Sequence, residues 1–408
     1  MLPFPAEEDN EDAKEPFLSA IFPLAVLFFP AVVSFATTRA VRETFLAAQE
    51  LQHTTGVVNV EVPVRVFDGE RFVDNLTLDD FMVYENGKRQ PVAALYLVRK
   101  AEIQKEEAAG AATAKPVPKT RRNFVLLFEV NDFMPKLDDA VDYFFDKVFL
   151  TDDIVTVATS RGTYHLKPEM LASASRPEIA KQLKSRLRKD IIDGSFEYKS
   201  ILRDIRDLQD KFDIDADLKE QMLVDHVRRL RDRIDLDESR LRQFAAALKA
   251  QEGQKYVFLF YQRERIVLPP LSDFASTELY KSLNFNPQDV EHLFADASLT
   301  VHFIYLTQST ASSLGIQDQR RDDSLRAQDL TANIYAAFRE MAQASGGLTE
   351  ATGNPLASFQ KAVTASENYY LLYYVPKDYQ ADGKFKEIKV IIKGKSYRVT
   401  NRAGYFAN

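Results

Sequence analysis

Residues 123–159 constrain the fold more than any other stretch, because they read as a single β-α-β unit. The run Phe124-Val125-Leu126-Leu127-Phe128 is apolar without a break, the pattern of a parallel strand covered on both faces. It stops at Glu129, Val130, Asn131, Asp132 and Phe133. Leu137, Val141, Phe144, Phe145 and Val148 then recur at spacings that place them on one helical face. Thr151, Asp152 and Asp153 end that helix, and residues 154–158 supply a second buried strand. In an open α/β sheet, ligands sit beyond the carboxyl ends of the strands, near the point where strand order reverses. Residues 129–133 are therefore the first place to look for function.

The alternation of strand and helix continues downstream. Strands are predicted at 124–130, 154–159, 256–261 and 300–306, with a short hairpin strand at 163–166, and helices fall between them. The predicted fold class over 122–366 is α/β, a doubly wound and mostly parallel sheet. A helix over 328–344 stops at Gly346-Gly347, and a short edge strand and a helix around 355–364 complete the unit. No proline occurs from 178 to 268, so long helices are permitted there. Leu223, Val227, Leu230 and Ile234, then Leu241, Phe244 and Leu248, form apolar stripes expected to pack on the sheet beneath a heavily charged solvated face.

Both flanks read as antiparallel strands. Residues 57–66 alternate with period two, and Asp68-Gly69 and Asn86-Gly87 are hairpin signals, since glycine accepts the positive φ such turns need. Four short strands fit within 57–99 and about three more within 367–408. Neither group closes a two-sheet core alone, so the two are expected to pair into a small immunoglobulin-like sandwich of antiparallel β segments. Residues 100–121, rich in Ala, Lys, Glu and Pro, read as a linker. Tyr369, Tyr370, Tyr373 and Tyr374 offer either cross-strand pairs or a tyrosine-rich binding surface.

Composition narrows the function classes. The 53 basic and 60 acidic residues give a formal charge of -7, against a general nucleic-acid binder, which must neutralise phosphates. The absence of cysteine excludes disulfides and thiol chemistry. Residues 17–36 are apolar apart from Ser19 and Ser34, and about twenty such residues can span a bilayer. Ser34-Phe35-Ala36 has the small-residue spacing a signal peptidase reads. Residues 1–36 are thus expected to be a signal peptide or a membrane anchor, although their leader is acidic where export signals carry basic residues. No phosphate-cradling glycine loop, nucleophile elbow or paired metal-ligand histidine spacing occurs, and His302 reads as a core or sheet-face residue. No enzyme is expected.

Two sets of residues carry a resemblance to a known family. The strand ending at Glu129, Asn131 and Phe133 is similar to the opening of von Willebrand factor A (VWA) domains, whose Asp-x-Ser-x-Ser turn holds a divalent cation in a metal-ion-dependent adhesion site. The flanks at 60–66, 78–88, 369–376, 382–385 and 402–406 resemble those of the acidobacterial-type VWFA-related family of exported bacterial proteins. The resemblance covers roughly 57–407. It implies a Rossmann-like VWA fold, an extracytoplasmic location, and adhesion or assembly with a protein partner through the pole formed by Glu129, Asn131, Asp132, Ser195 and Gln262. Ser195 falls where the family has a threonine ligand. Phe133 supplies no donor, and Gln262 with Arg263, Glu264 and Arg265 stands where an aspartate is expected. No cofactor is expected, magnesium or calcium being the ions the ancestral site would take. A structural envelope scaffold with an inert pole, or a hydrolase using Glu129 or Asp132, are the alternatives.

Overall fold

Antiparallel strands flank a parallel sheet in both directions along the chain. The computed structural model describes residues 58–109, 118–130, 132–166, 174–234, 238–262, 275, 287–307 and 331–408. The expected signal or anchor, 1–36, lies outside them; among the described residues no helix is long and apolar enough to cross a membrane.

The first flank contains β1 (Val60–Asp68), β2 (Arg71–Phe72), β3 (Phe81–Glu85), β4 (Lys88–Gln90), β5 (Val92–Arg99) and β6 (Glu102–Ala108). The α/β unit follows with β7 (Arg122–Glu129), α1 (Pro135–Tyr143), β8 (Ile154–Thr159), β9 (Thr163–Leu166), α2 (Arg176–Gln209), α3 (Ala216–Ile234), α4 (Glu238–Lys249), β10 (Gln254–Gln262), α5 (Pro287–Asp296), β11 (Leu299–Leu306), α6 (Thr331–Ala344), β12 (Thr349–Thr352) and α7 (Pro355–Glu367). The second flank holds β13 (Asn368–Tyr374), β14 (Phe385–Ile392), β15 (Arg398–Asn401) and β16 (Gly404–Phe406).

The fold is mixed α/β. Its central sheet runs β12-β11-β10-β7-β8-β9, with parallel pairing throughout except at the β9 edge. The alternating faces of β7 explain its apolar run. Phe124, Leu126 and Phe128 pack with residues of α1, α2 and α7, whereas Val125 and Leu127 pack with α4, α5 and α6. Helices thus cover both faces, and a strand buried on both sides needs no polar positions. From β7 the chain moves one way to β8 and β9, then returns to add β10, β11 and β12 on the other side. Strand order therefore reverses between β7 and β10.

The two flanks interleave. β13 lies between β1 and β5 in the sheet β15-β1-β13-β5-β6, and β14 pairs with β3 in the sheet β16-β14-β3-β4. One apolar core, including Val62, Val64, Val83, Leu95, Leu372 and Val390, joins the inner faces of both. A buried polar knot lies within it: Tyr374 and Tyr405 both donate to Glu85 Oε2, at 2.7 and 2.9 Å.

Two expectations need correction, and one open choice is resolved. Residues 100–121 are not simply a linker, because Glu102–Ala108 pairs with β5. The turn uses Lys100 and Ala101 at φ 48° and 68° without the usual glycine, and the strand is a solvated edge lacking an apolar face, so neither signal was visible. Of the two readings open for the four C-terminal tyrosines, cross-strand pairing holds: each is at most 4% exposed and pairs within the sheet, because β13 is central there. The stripe Leu223, Val227 and Leu230 packs on Tyr198, Ile201, Ile205 and Leu208 of α2, since α2, at 34 residues and about 50 Å, extends far enough to shelter it.

The antiparallel sheets meet the α/β unit at the amino ends of its parallel strands. Arg65 of β1 is 1% exposed and donates to Ala365 O (2.5 Å), Gly346 O (3.3 Å) and Thr300 Oγ1 (3.2 Å). Burial pushes its guanidinium below the ordinary value, opposed by the neighbouring Tyr256 and Tyr369. Gln254, the first residue of β10, donates to Glu61 Oε1 at 2.9 Å, and His292 stacks on Phe385 with ring centroids 3.8 Å apart. The carboxyl ends of the strands face away from this seam.

Candidate functional site

The pole is assembled where strand order reverses. β7 and β10 run in parallel register with Glu129 opposite Tyr261, so Gln262 emerges one residue beyond. Its side chain then secures the turn after β7: the Asp132 N–H donates to Gln262 Oε1 at 2.7 Å. An aspartate is too short to span that gap in the same way, which gives Gln262 a local structural reason. Glu129 is half-buried at the end of β7. Asn131 lies outside the described residues.

α2 supplies the adjoining wall. It is held against the β8–β9 hairpin by Asp190, whose Oδ2 accepts from Thr159 Oγ1 (2.7 Å) and from Tyr164 OH (2.6 Å). Burial, reinforced by Asp190, pushes the Tyr164 hydroxyl above its ordinary value, so it remains a donor. The approach is close: a Cβ on Gly194 would stand 2.6 Å from Ser160 Oγ. Ser195, 9% exposed, consequently faces the turn, and it lines a shallow cleft of about 280 Å³ with Asp132, Phe133, Phe196 and Lys199. Lys199 Nζ lies 2.9 Å from Asp132 Oδ1. Both side chains are nearly half exposed, so the pair fixes orientation more than it stabilises.

Of the residues expected at the pole, Asp132, Ser195 and Gln262 are thus brought together, with Glu129 at the adjacent strand end. Their donor set does not suit a hard divalent cation, which wants several oxygens in near-octahedral array. The Asp132 carboxylate is bound by an ammonium, the Gln262 oxygen accepts a backbone N–H, and Phe133 offers an aromatic ring. No group of three or more acidic or histidine side chains suited to a metal gathers among the described residues. Residues 263–265 lie outside them.

Other titratable groups occupy structural settings. Asp153 and Glu367, whose carboxyls burial lifts above their ordinary values, face Arg122 at the opposite end of β7. Asp153 takes two hydrogen bonds from it, at 2.9 and 2.6 Å. Asp138, in the first turn of α1, accepts from Arg188 at 2.9 Å. His302 is completely buried, and its Nδ1 accepts from the Leu348 N–H at 3.3 Å. Nε2 then carries the proton and donates to Ser366 Oγ at 2.8 Å. Desolvation and Arg65 hold its pKa well below the ordinary value.

Sequence reasoning missed the apolar side of the pole. Ile192 is 54% and Phe196 70% exposed beside the cleft. Their four-residue spacing was visible, but α2 carries a second, buried apolar stripe, and spacing alone does not say which faces outward. A larger groove of about 750 Å³ runs between α6, α7 and the β1–β15 edge. There Lys361 pairs with Glu70 (3.0 Å) and Glu350 (3.8 Å); residues so distant in sequence give no local motif.

No protein-family model matches this sequence, and no curated protein matches it.

Proposed function

We propose that this chain is an extracytoplasmic VWA-type protein-interaction module of the VWFA-related kind, serving adhesion or assembly through its pole without a bound metal ion. The observation that carries the reading is the Asp132–Gln262 hydrogen bond at the strand-order reversal, the position where open α/β sheets place their ligands. Side chain and backbone close the turn there by themselves, and Lys199 supplies positive charge beside Asp132. The immunoglobulin-like reading of the antiparallel sheets is supported by their shared core, and the export reading by the apolar segment 17–36. Among the described residues, these sheets pack at the amino ends of the parallel strands, away from the pole.

Affinity capture from bacterial envelope extracts in the presence of a chelator, with the full chain and with a Gln262→Ala variant, which removes the acceptor that closes the turn, as baits, tests the proposal. The expected result is a protein retained by the first and lost by the second. Identical recovery by both baits overturns the pole as the binding surface; recovery only after magnesium or calcium is restored overturns metal independence.

A further inference from the structure

The partner's chemistry can be read from the exposed face of α2; this step rests on the pole reading above. Arg188, Ile192, Phe196, Lys199 and Arg203 follow one another at spacings of four, four, three and four, which place them along one helical face. The middle of that face is apolar and exposed, Ile192 at 54% and Phe196 at 70%. The ends are cationic. Arg188 lies over the Phe133 ring, 4.6 Å from its centroid, and Lys199 and Arg203 line the cleft with Asp132. Single exposed apolar side chains are ordinary. Two on consecutive turns, edging a cleft floored by Phe133 and Ile191, make a patch that water covers at a cost.

Charge selects the occupant. The chain as a whole is acidic, with a formal charge of -7, yet the cleft sets Lys199 and Arg203 against the single carboxylate of Asp132. A local cationic excess on an acidic protein favours an anionic partner and disfavours a second copy of the chain. We propose that the pole binds a peptide segment of a partner protein in which an aromatic or branched aliphatic residue packs between Phe133, Ile192 and Phe196 while neighbouring Asp or Glu side chains reach Lys199 and Arg203. The apolar anchor supplies most of the affinity; the carboxylates fix register and speed association.

The test is to pan a random peptide library on the immobilised full chain and measure the enriched peptides by fluorescence anisotropy. Enriched sequences are expected to carry Asp or Glu within about one helical turn of a large apolar residue. Their binding should weaken about tenfold or more in Phe196→Ser and in Lys199→Glu/Arg203→Glu, and weaken as salt rises. Because these side chains are on the surface, thermal melts of the variants should match the parent, which separates lost contact from lost fold. Peptides insensitive to these substitutions but lost in Gln262→Ala overturn this inference and leave the pole reading standing. Peptides insensitive to both sets overturn both. Enrichment of basic or uncharged sequences, or no enrichment over bare support, also overturns the inference. So does binding to phosphatidylglycerol vesicles, or self-association, that Phe196→Ser abolishes.

Discussion

His302 is stacked on Phe258, with centroids 5.1 Å apart, and both ring nitrogens are engaged. Protonation would force Nδ1 to donate toward an N–H that already points at it, and would add a cation near Arg65. The folded state therefore keeps the ring neutral well below its ordinary pKa of about 6.5, whereas the unfolded chain takes up the proton near that value. As pH falls below about 6.5 the unfolded state binds more protons and stability declines, by at most about 1.4 kcal/mol per unit. Asp153 and Glu367 act in the opposite direction, because their raised carboxyls protonate first in the folded state. Comparison isolates the imidazole: denaturant melts between pH 7 and 5.5 should show a decline in the parent that is smaller in His302→Gln, whatever the variant's absolute stability. Equal slopes would mean that the ring is protonated in the fold.

Elements differ in how openly their sequences declare them. β7, β10 and β11 were legible because a strand covered on both faces is mostly apolar, and β8 because Val155, Val157 and Ala158 are buried although Thr156 is partly exposed. The stop after α6 was legible for a related reason. Gly346 has φ +75°, and a Cβ on Gly347 would stand 1.8 Å from Val301 O, a backbone atom of β11. Gly347→Ala must displace that strand, so a loss of more than about 2 kcal/mol is expected in chemical denaturation; a variant as stable as the parent would show that the α6–β12 turn shifts freely. β6 was hidden because an edge strand meets water on both sides, and Glu107 acts through a backbone contact, its carboxylate accepting from the Leu78 N–H at 2.6 Å. At the pole, Asp132 and Gln262 could be placed from the sequence, since topology brings strand ends together, whereas Ser195, in the middle of α2, came only from the family resemblance. Ile192 and Phe196 could not be placed, because α2 has apolar residues on two faces and only the packed structure says which one is covered.

At the scale of the whole molecule, the antiparallel sheets and the pole lie at opposite ends of the parallel strands, and the sheets are built from segments that meet only after the α/β unit has been traversed. Removal of residues after Ser366 deletes β13, which separates β1 from β5. Limited proteolysis of that truncated chain should find residues 58–99 cleaved readily while those of β7–β12 stay protected; equal resistance of the first segment in both chains would mean that it folds without β13. The same interleaving has a temporal side. The contact between Arg65 and Ala365 joins residues 300 positions apart, an interval that takes a ribosome about 15 to 60 s to cross. Throughout that time Val60, Val62, Val64 and Val66 have neither of their long-range neighbours. A nascent segment that is apolar, extended and without its strand partners invites aggregation, so the first strands made are the last to be safe, and a holding chaperone or a translocation channel would find them open for as long as the remainder is being made.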